Sequence, residues 1–160
     1  MTPSIRDEIQ QRKEFSSLEA EAVLGLLRTA DQLETRITEM LRPFGLSPTQ
    51  YNALRILRGA GAEGMACSAI GERMINRDPD ITRLLDRLER RGLVARGRQQ
   101  KDRRVIKVRI LTAGLKLLES MDRPVEGFQS VLLGHLGDRR LRSLIRLLDA
   151  ARAAPNRPTD

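Results

Sequence analysis

The sequence predicts a mainly α-helical chain interrupted once by a small β-hairpin, and three observations carry that prediction. Apolar residues recur at three-and-four spacing through most of the 160 residues, the signature of helices with one buried face. The period changes once, where Val94–Arg98 and Val105–Leu111 read as two strands joined by a polar tip, Gln99–Arg104. Charge is concentrated at that same place: from Arg90 to Arg109 nine Lys or Arg face one acid, Asp102, a net of +8 that equals the net charge of the whole chain. The rest of the chain is therefore neutral. A local excess of this kind suits a polyanion, because each neutralised phosphate releases condensed counterions.

The elements follow in order. Residues 1–12 are polar and mixed in charge and are expected to be a loose arm. Within 13–45 an apolar stripe from Phe15 to Leu41 runs Leu18, Ala22, Leu26, Leu33, Ile37 and Leu41, widened by Val23 and Leu27, with no proline to break it. So long a stripe outruns what a small domain can cover, so a second chain is its natural partner. Pro43 and Gly45 stop this helix. Ser47, Pro48 and Gln50 then spell a capping box that opens a helix running to about Gly59 with Tyr51, Leu54 and Leu57 inward. A small-residue turn, Gly59–Gly64, leads to a short helix over Ala66–Ile75 that buries Ala66, Ile70 and Met74.

The next helix opens the most informative stretch. Asp78 can cap it and Pro79 fits its first position. Ile81, Leu84, Leu85 and Leu88 fall on one face, and Asp80, Thr82, Arg83, Asp86, Arg87 and Arg90 on the other. Gly92 supplies the left-handed turn that ends it. Short helix, turn, helix with a polar outer face, then hairpin is the winged helix-turn-helix order, in which the second helix enters the major groove and the hairpin is the wing. Thr112 can cap a further helix carrying Leu118, Met121, Val125, Phe128 and Leu132, with Pro124 a candidate kink. A last helix from about Asp138 to Arg152 aligns Leu141, Leu144, Ile145 and Leu148. The fold class is thus a winged helix-turn-helix DNA-binding domain, 46–111, flanked by an N-terminal dimerisation helix, 13–45, and C-terminal dimerisation helices, 112–152, with a frayed tail over 153–160. Leu18, Leu26, Leu118, Phe128, Leu144 and Leu148 are the expected dimer interface.

Composition excludes several alternatives. One Cys and one His cannot assemble a zinc site or an internal disulfide, so no metal or other cofactor is expected. Nor do they supply a nucleophile with its base, so no enzyme is expected. Aromatics are few (Phe15, Phe44, Tyr51, Phe128), which removes the stacking platforms used on single strands and favours double-stranded DNA. No apolar run suits a signal peptide or membrane span, so a cytoplasmic protein with no membrane partner is expected. His135 sits at a helix end, where a cap or surface role is commoner than a switch, and Met65 and Met74 read as core filler.

The run IGERMINRDPDITRLLDRLERRGLVAR, followed by Asp102, Arg103 and Arg104, resembles the MarR family of bacterial winged helix-turn-helix transcriptional regulators. The likeness is close over about Leu46–Gly114, with one departure: Leu111 and Thr112 precede Gly114 by one residue fewer than the family pattern has. It implies a homodimer whose termini interlock, recognition helices reading a pseudo-palindrome, Arg104 in the minor groove and Asp102 shaping the wing tip. Chemistry suggests the remaining roles. Thr82 and Arg83 can reach base edges, a guanidinium pairing bidentately with guanine. Asp80 can accept from cytosine, although an acid in a first turn is more often there for the helix dipole. Arg77 and Arg87 complete the recognition-helix set, with Arg87 and Arg90 expected to pair with Asp86 or touch backbone. Arg98, Lys101 and Arg103 are expected on phosphates, and Ser68 is a secondary phosphate candidate.

The expected function is a repressor released from DNA by a small aromatic or phenolic effector, whose pocket residues the sequence leaves unknown. The alternatives are an effector-independent general or architectural nucleic-acid-binding protein, and a redox-sensing regulator acting through Cys67. Against the last, Cys67 sits in MACSAI with no basic neighbour to lower its pKa.

Overall fold

The computed structural model describes residues 3–76, 80–98 and 106–153. The chain divides into two compact units, Met1–Glu119 and Ser120–Asp160. The first unit opens with a one-turn helix, α1 (Ile5–Glu8), and a long one, α2 (Leu18–Leu41). The arm expected to be loose over residues 1–12 is therefore partly folded. Ser4 and Asp7 form a reciprocal capping box: the Asp7 carboxylate accepts the Ser4 hydroxyl at 2.7 Å and the Ser4 N–H at 3.1 Å. Those two bonds hold the Asp7 carboxyl below its ordinary 3.8. Glu8 accepts from Arg28 Nε at 3.5 Å and Gln32 Nε2 at 3.3 Å, tying α1 to α2. α2 begins after Phe15 rather than at it, because Ser17, in extended backbone, accepts the Ala20 N–H at 3.2 Å and so sets the first turn.

A 3₁₀ turn, Arg42–Phe44, ends α2, and α3 (Pro48–Ala60) starts where the sequence places it. The Ser47 hydroxyl accepts the Gln50 N–H at 3.2 Å, and Gln50 Oε1 accepts the Ser47 N–H at 3.0 Å. Ala53, Leu54 and Leu57 are fully buried, whereas Tyr51, expected inward, is half-buried with the Arg55 guanidinium 5.8 Å from its ring centre.

The head then assembles. β1 (Met65–Ala66), α4 (Cys67–Arg73), α5 (Ile81–Arg90), β2 (Val94–Arg98) and β3 (Ile106–Ile110) follow in order. The hairpin is only part of the sheet, which has three antiparallel strands in the order β1-β3-β2. Met65 pairs with Val108 and Val94 with Ile110, which puts Met65, Val94 and Val108 in the core with Ile70, Leu85 and Leu88. Ile106, on the same strand face as the buried Val108, is 47% exposed. It pairs with Arg98 at the end of the ladder beyond β1, where no strand or helix of the described head continues the core.

α6 (Thr112–Leu133) begins at a close approach. Thr112 is already helical, and the buried Gly114 has no room for a side chain: a Cβ there would lie 2.5 Å from the Leu93 carbonyl oxygen and 2.7 Å from Ile110 Cγ1. The Leu111 N–H donates to that same Leu93 carbonyl at 2.9 Å, stitching the strand exit to the end of the α5–β2 turn. Gly92, at φ +68°, makes that turn as the sequence predicts.

The second unit holds the rest of α6, a 3₁₀ turn (Gly134–Leu136) with His135 exposed, and α7 (Gly137–Arg152). Pro124 lies inside α6 without ending it. Met121, Val125 and Leu132 are buried, but α7 buries no residue and leaves Ile145 57% and Leu147 68% exposed.

Candidate nucleic-acid interface

The candidate interface is centred on α5. Leu84, Leu85 and Leu88 are buried, Ile81 is half-buried, and Thr82, Arg83, Arg87 and Arg90 are exposed, so the helix packs on one face and presents the other. It starts at Ile81, two residues later than the Pro79 start the sequence suggests. Asp80 is the cap, because its carboxylate accepts the Arg83 N–H at 3.1 Å; Asp78 and Pro79 lie outside the described residues. The same carboxylate lies 3.3 Å from Arg83 Nε, which holds that guanidinium over the first turn while both side chains stay mostly exposed.

Asp86 has a partner other than the one expected. Neither Arg87 nor Arg90 takes it: Arg90 Nε donates instead to the Asp86 backbone carbonyl at 3.3 Å. The carboxylate accepts from Arg96 Nη1 of β2 at 2.6 Å. Arg96 Nη2 donates to the Thr82 carbonyl at 3.0 Å, its backbone N–H donates to Glu89 Oε1 at 3.0 Å, and Glu89 Oε2 lies 3.8 Å from Nη1. One planar fork thus reaches three turns of α5 from the first strand of the wing. Arg96 Nε is buried without a hydrogen-bond partner among the described residues, so the arrangement carries a desolvation cost as well as a gain.

In the sequence Arg96 is one member of the basic patch, with nothing adjacent to mark a separate role. The signal lies two residues away, since Val94 and Arg96 share a strand face and Val94 is core. In the sequence Arg91 likewise falls in the basic patch without a role of its own. It is the cap residue of α5, and its Nη1 donates to the Gly45 carbonyl at 2.6 Å, with Nη2 3.5 Å from the Phe44 carbonyl.

The other expected residues divide. Ser68 is exposed in the first turn of α4. Arg98 contributes backbone to β2, and its side chain is outside the described set, as are Arg77, Lys101, Asp102, Arg103 and Arg104. Of the expected dimer residues, Leu18 (81%) and Leu26 (46%) are exposed, and Phe128, Leu144 and Leu148 are half-buried. Leu118 is a correction: it is fully buried inside the chain and has no surface to offer a second one. Cys67 is half-buried at the start of α4. Among the described residues no group of three or more His, Cys, Asp or Glu could hold a metal ion, and no helix is long and apolar enough to cross a membrane.

Comparison with known proteins places the arrangement. The sequence profile of the MarR family matches residues 46–106. The crystal structure of a MarR transcription factor from Planctomyces limnophilus is 46% identical, covering 86% of this chain and 99% of that one at a TM-score of 0.66. The chain belongs to the MarR family. Within that family, this chain is 30% identical over 102 residues to the HTH-type transcriptional repressor MdtR of Bacillus subtilis, a match that spans 64% of each protein. The MarR fold is shared at TM-score 0.78 with Bordetella bronchiseptica BpsR, whose DNA binding is regulated by 6-hydroxynicotinic acid; that chain is 19% identical and is covered in full by 89% of this one.

Proposed function

We propose that this MarR-family chain is a sequence-specific transcriptional regulator, a repressor that binds a pseudo-palindromic operator in double-stranded DNA as a homodimer and is released by a small aromatic or phenolic effector. The observation that carries the reading is the outer face of α5. Thr82, Arg83 and Arg87 stand exposed on a helix whose opposite face is locked by Leu84, Leu85 and Leu88 and whose flank is braced to the wing by Arg96. An exposed guanidinium near the start of such a helix can pair bidentately with guanine in the major groove, and Thr82 one residue away can meet a base edge or phosphate. On this reading Arg77 and Asp80 belong to the same contact set. Ser68, Arg98, Lys101 and Arg103 meet phosphates, and Arg104 enters the minor groove from a wing tip shaped by Asp102.

Repression is supported by the similarity to MdtR, and regulation of DNA binding by a small aromatic acid has its counterpart in BpsR. The mechanism is a change of spacing. Half-sites lie about one helical turn apart, roughly 34 Å, so a splay of a few ångströms takes one recognition helix out of register. A compound that binds the splayed form better lowers DNA affinity by its differential binding energy. The setting for this work is the cytoplasm.

The test is a titration of the purified protein against the DNA upstream of its own gene and against scrambled DNA of equal length. Wild type should prefer the former, and Arg83→Ala should cost about 1–3 kcal/mol on it while relaxing the preference at one base position. Equal loss on both duplexes would make Arg83 a phosphate clamp and remove it from base reading.

A further inference from the structure

The C-terminal half of α5 borders a shallow groove of about 500 Å³ lined by Gly45, Gln50, Arg87, Arg90 and Arg91. The two acids of this helix half, Asp86 and Glu89, both pair with Arg96 of β2, and neither is part of the groove lining. Three guanidinium groups therefore line one concavity with no acidic side chain among its walls.

They are not equivalent. Arg91 is pinned, its Nη1 2.6 Å from the Gly45 carbonyl oxygen. Arg90 uses Nε on the Asp86 carbonyl, which leaves its terminal nitrogens uncommitted among the described residues. Arg87 is exposed and has no hydrogen-bond partner among them. Gln50 spends its oxygen on the Ser47 N–H in the capping box, so the end of its amide still able to act is the two-donor end. The lining thus offers donors and positive charge. Small-molecule sites for aromatic compounds are walled mostly by apolar side chains, and this groove is not.

We propose that this groove is an oxyanion site that holds one phosphate group between Arg87 and Arg90, with Arg91 as its fixed wall and the Gln50 amide as a fourth donor. Forked guanidinium groups match the oxygen spacing of a phosphate, and several converging on one anion offset the mutual repulsion they otherwise suffer. The phosphate has two possible sources, the DNA backbone beside the recognition helix or a free phosphate-bearing molecule. The first rests on the reading of α5 as a recognition helix; the second does not.

Wild type, Arg87→Gln/Arg90→Gln and Arg90→Gln alone are compared in two arms, after circular dichroism in chloride shows each folded. In the first arm, inorganic phosphate is titrated against chloride at constant ionic strength. A free-anion site predicts a saturable rise in the wild-type Tm of about 2–4 °C that the double variant lacks. In the second arm, affinity for a scrambled duplex is measured at roughly 50 and 200 mM salt. A backbone-phosphate site predicts that the ratio of the two affinities is about three- to fourfold smaller in the double variant, the share of one phosphate contact. Arg90→Gln, at an exposed position, gives the same comparison should the double variant not fold. No saturable rise together with an unchanged ratio would overturn the proposal. Because the duplex is scrambled, a failure of operator preference leaves this result readable, and an intact preference does not rescue it.

Discussion

Arg96 shows how much one side chain can decide at the level of the residue. A lysine would carry the same charge, but a point charge on a flexible stem cannot hold Asp86 Oδ1 at 2.6 Å and the Thr82 carbonyl at 3.0 Å together, whereas a planar fork can. Its contribution to stability is modest. Its partners Asp86 and Glu89 are about 40% exposed and stay hydrated if it is removed, and its own Nε is buried without a partner among the described residues. We therefore expect Arg96→Met to lower the unfolding free energy by only about 1 kcal/mol, measured by urea denaturation. Operator affinity should fall by more than the folded fraction explains, at least tenfold, because the wing and α5 no longer share a fixed angle. Loss of stability and of binding in step would reduce Arg96 to an ordinary structural residue.

At the level of the element, local signals were legible wherever a side chain completes a bond with its own neighbours. The Ser47–Gln50 capping box lies within four residues and could be read directly, and α3 starts there. Asp80 displaced Asp78 as the cap of α5 because both are good capping residues two positions apart, and spacing alone does not choose between them. β1 was illegible for another reason. Two residues show no alternation, and Met65 and Ala66 are a strand only because β3 lies beside them with Val108 opposite Met65. Arg96 and Arg91 failed in the same way, since their partners lie ten and 46 residues away.

Gly114 is the sharpest case at this level, because its constraint comes from the carbonyl of Leu93 and the side chain of Ile110, on elements the sequence places but does not bring together. A methyl group at 2.5 Å from a backbone oxygen cannot be absorbed by a rotamer change. Gly114→Ala should destabilise the head by about 1–3 kcal/mol despite the better helix propensity of alanine, read as a lowered denaturation midpoint with unchanged slope. A stabilised variant would mean that the start of α6 is free to move away from Leu93.

At the level of the whole molecule, what matters is apolar surface left without cover. α2 exposes Leu18, Val23, Leu26 and Leu27, with Leu18 at 81%, and α7 exposes Ile145 and Leu147. Scattered single apolar residues need no explanation, but four within about three turns of α2, together with a closely spaced pair on α7, do. The charge pattern adds to this. The net of +8 is concentrated around the wing, and the remainder of the chain is neutral, so two copies meeting through these helices need not bring like charges together at the contact. We expect sedimentation equilibrium to show a dimer at micromolar concentration. Leu26→Glu combined with Leu147→Glu should weaken it at least a hundredfold, since two large side chains lose burial and two charges would have to be desolvated in their place. The dissociated variant should keep a folded head, because neither residue is part of the buried core, and so it should still bind a single half-site at low salt while losing the gain from engaging two at once. A wild type that stays monomeric across that concentration range would leave these helices for a different occupant, and a single recognition helix could not then read both halves of a pseudo-palindrome.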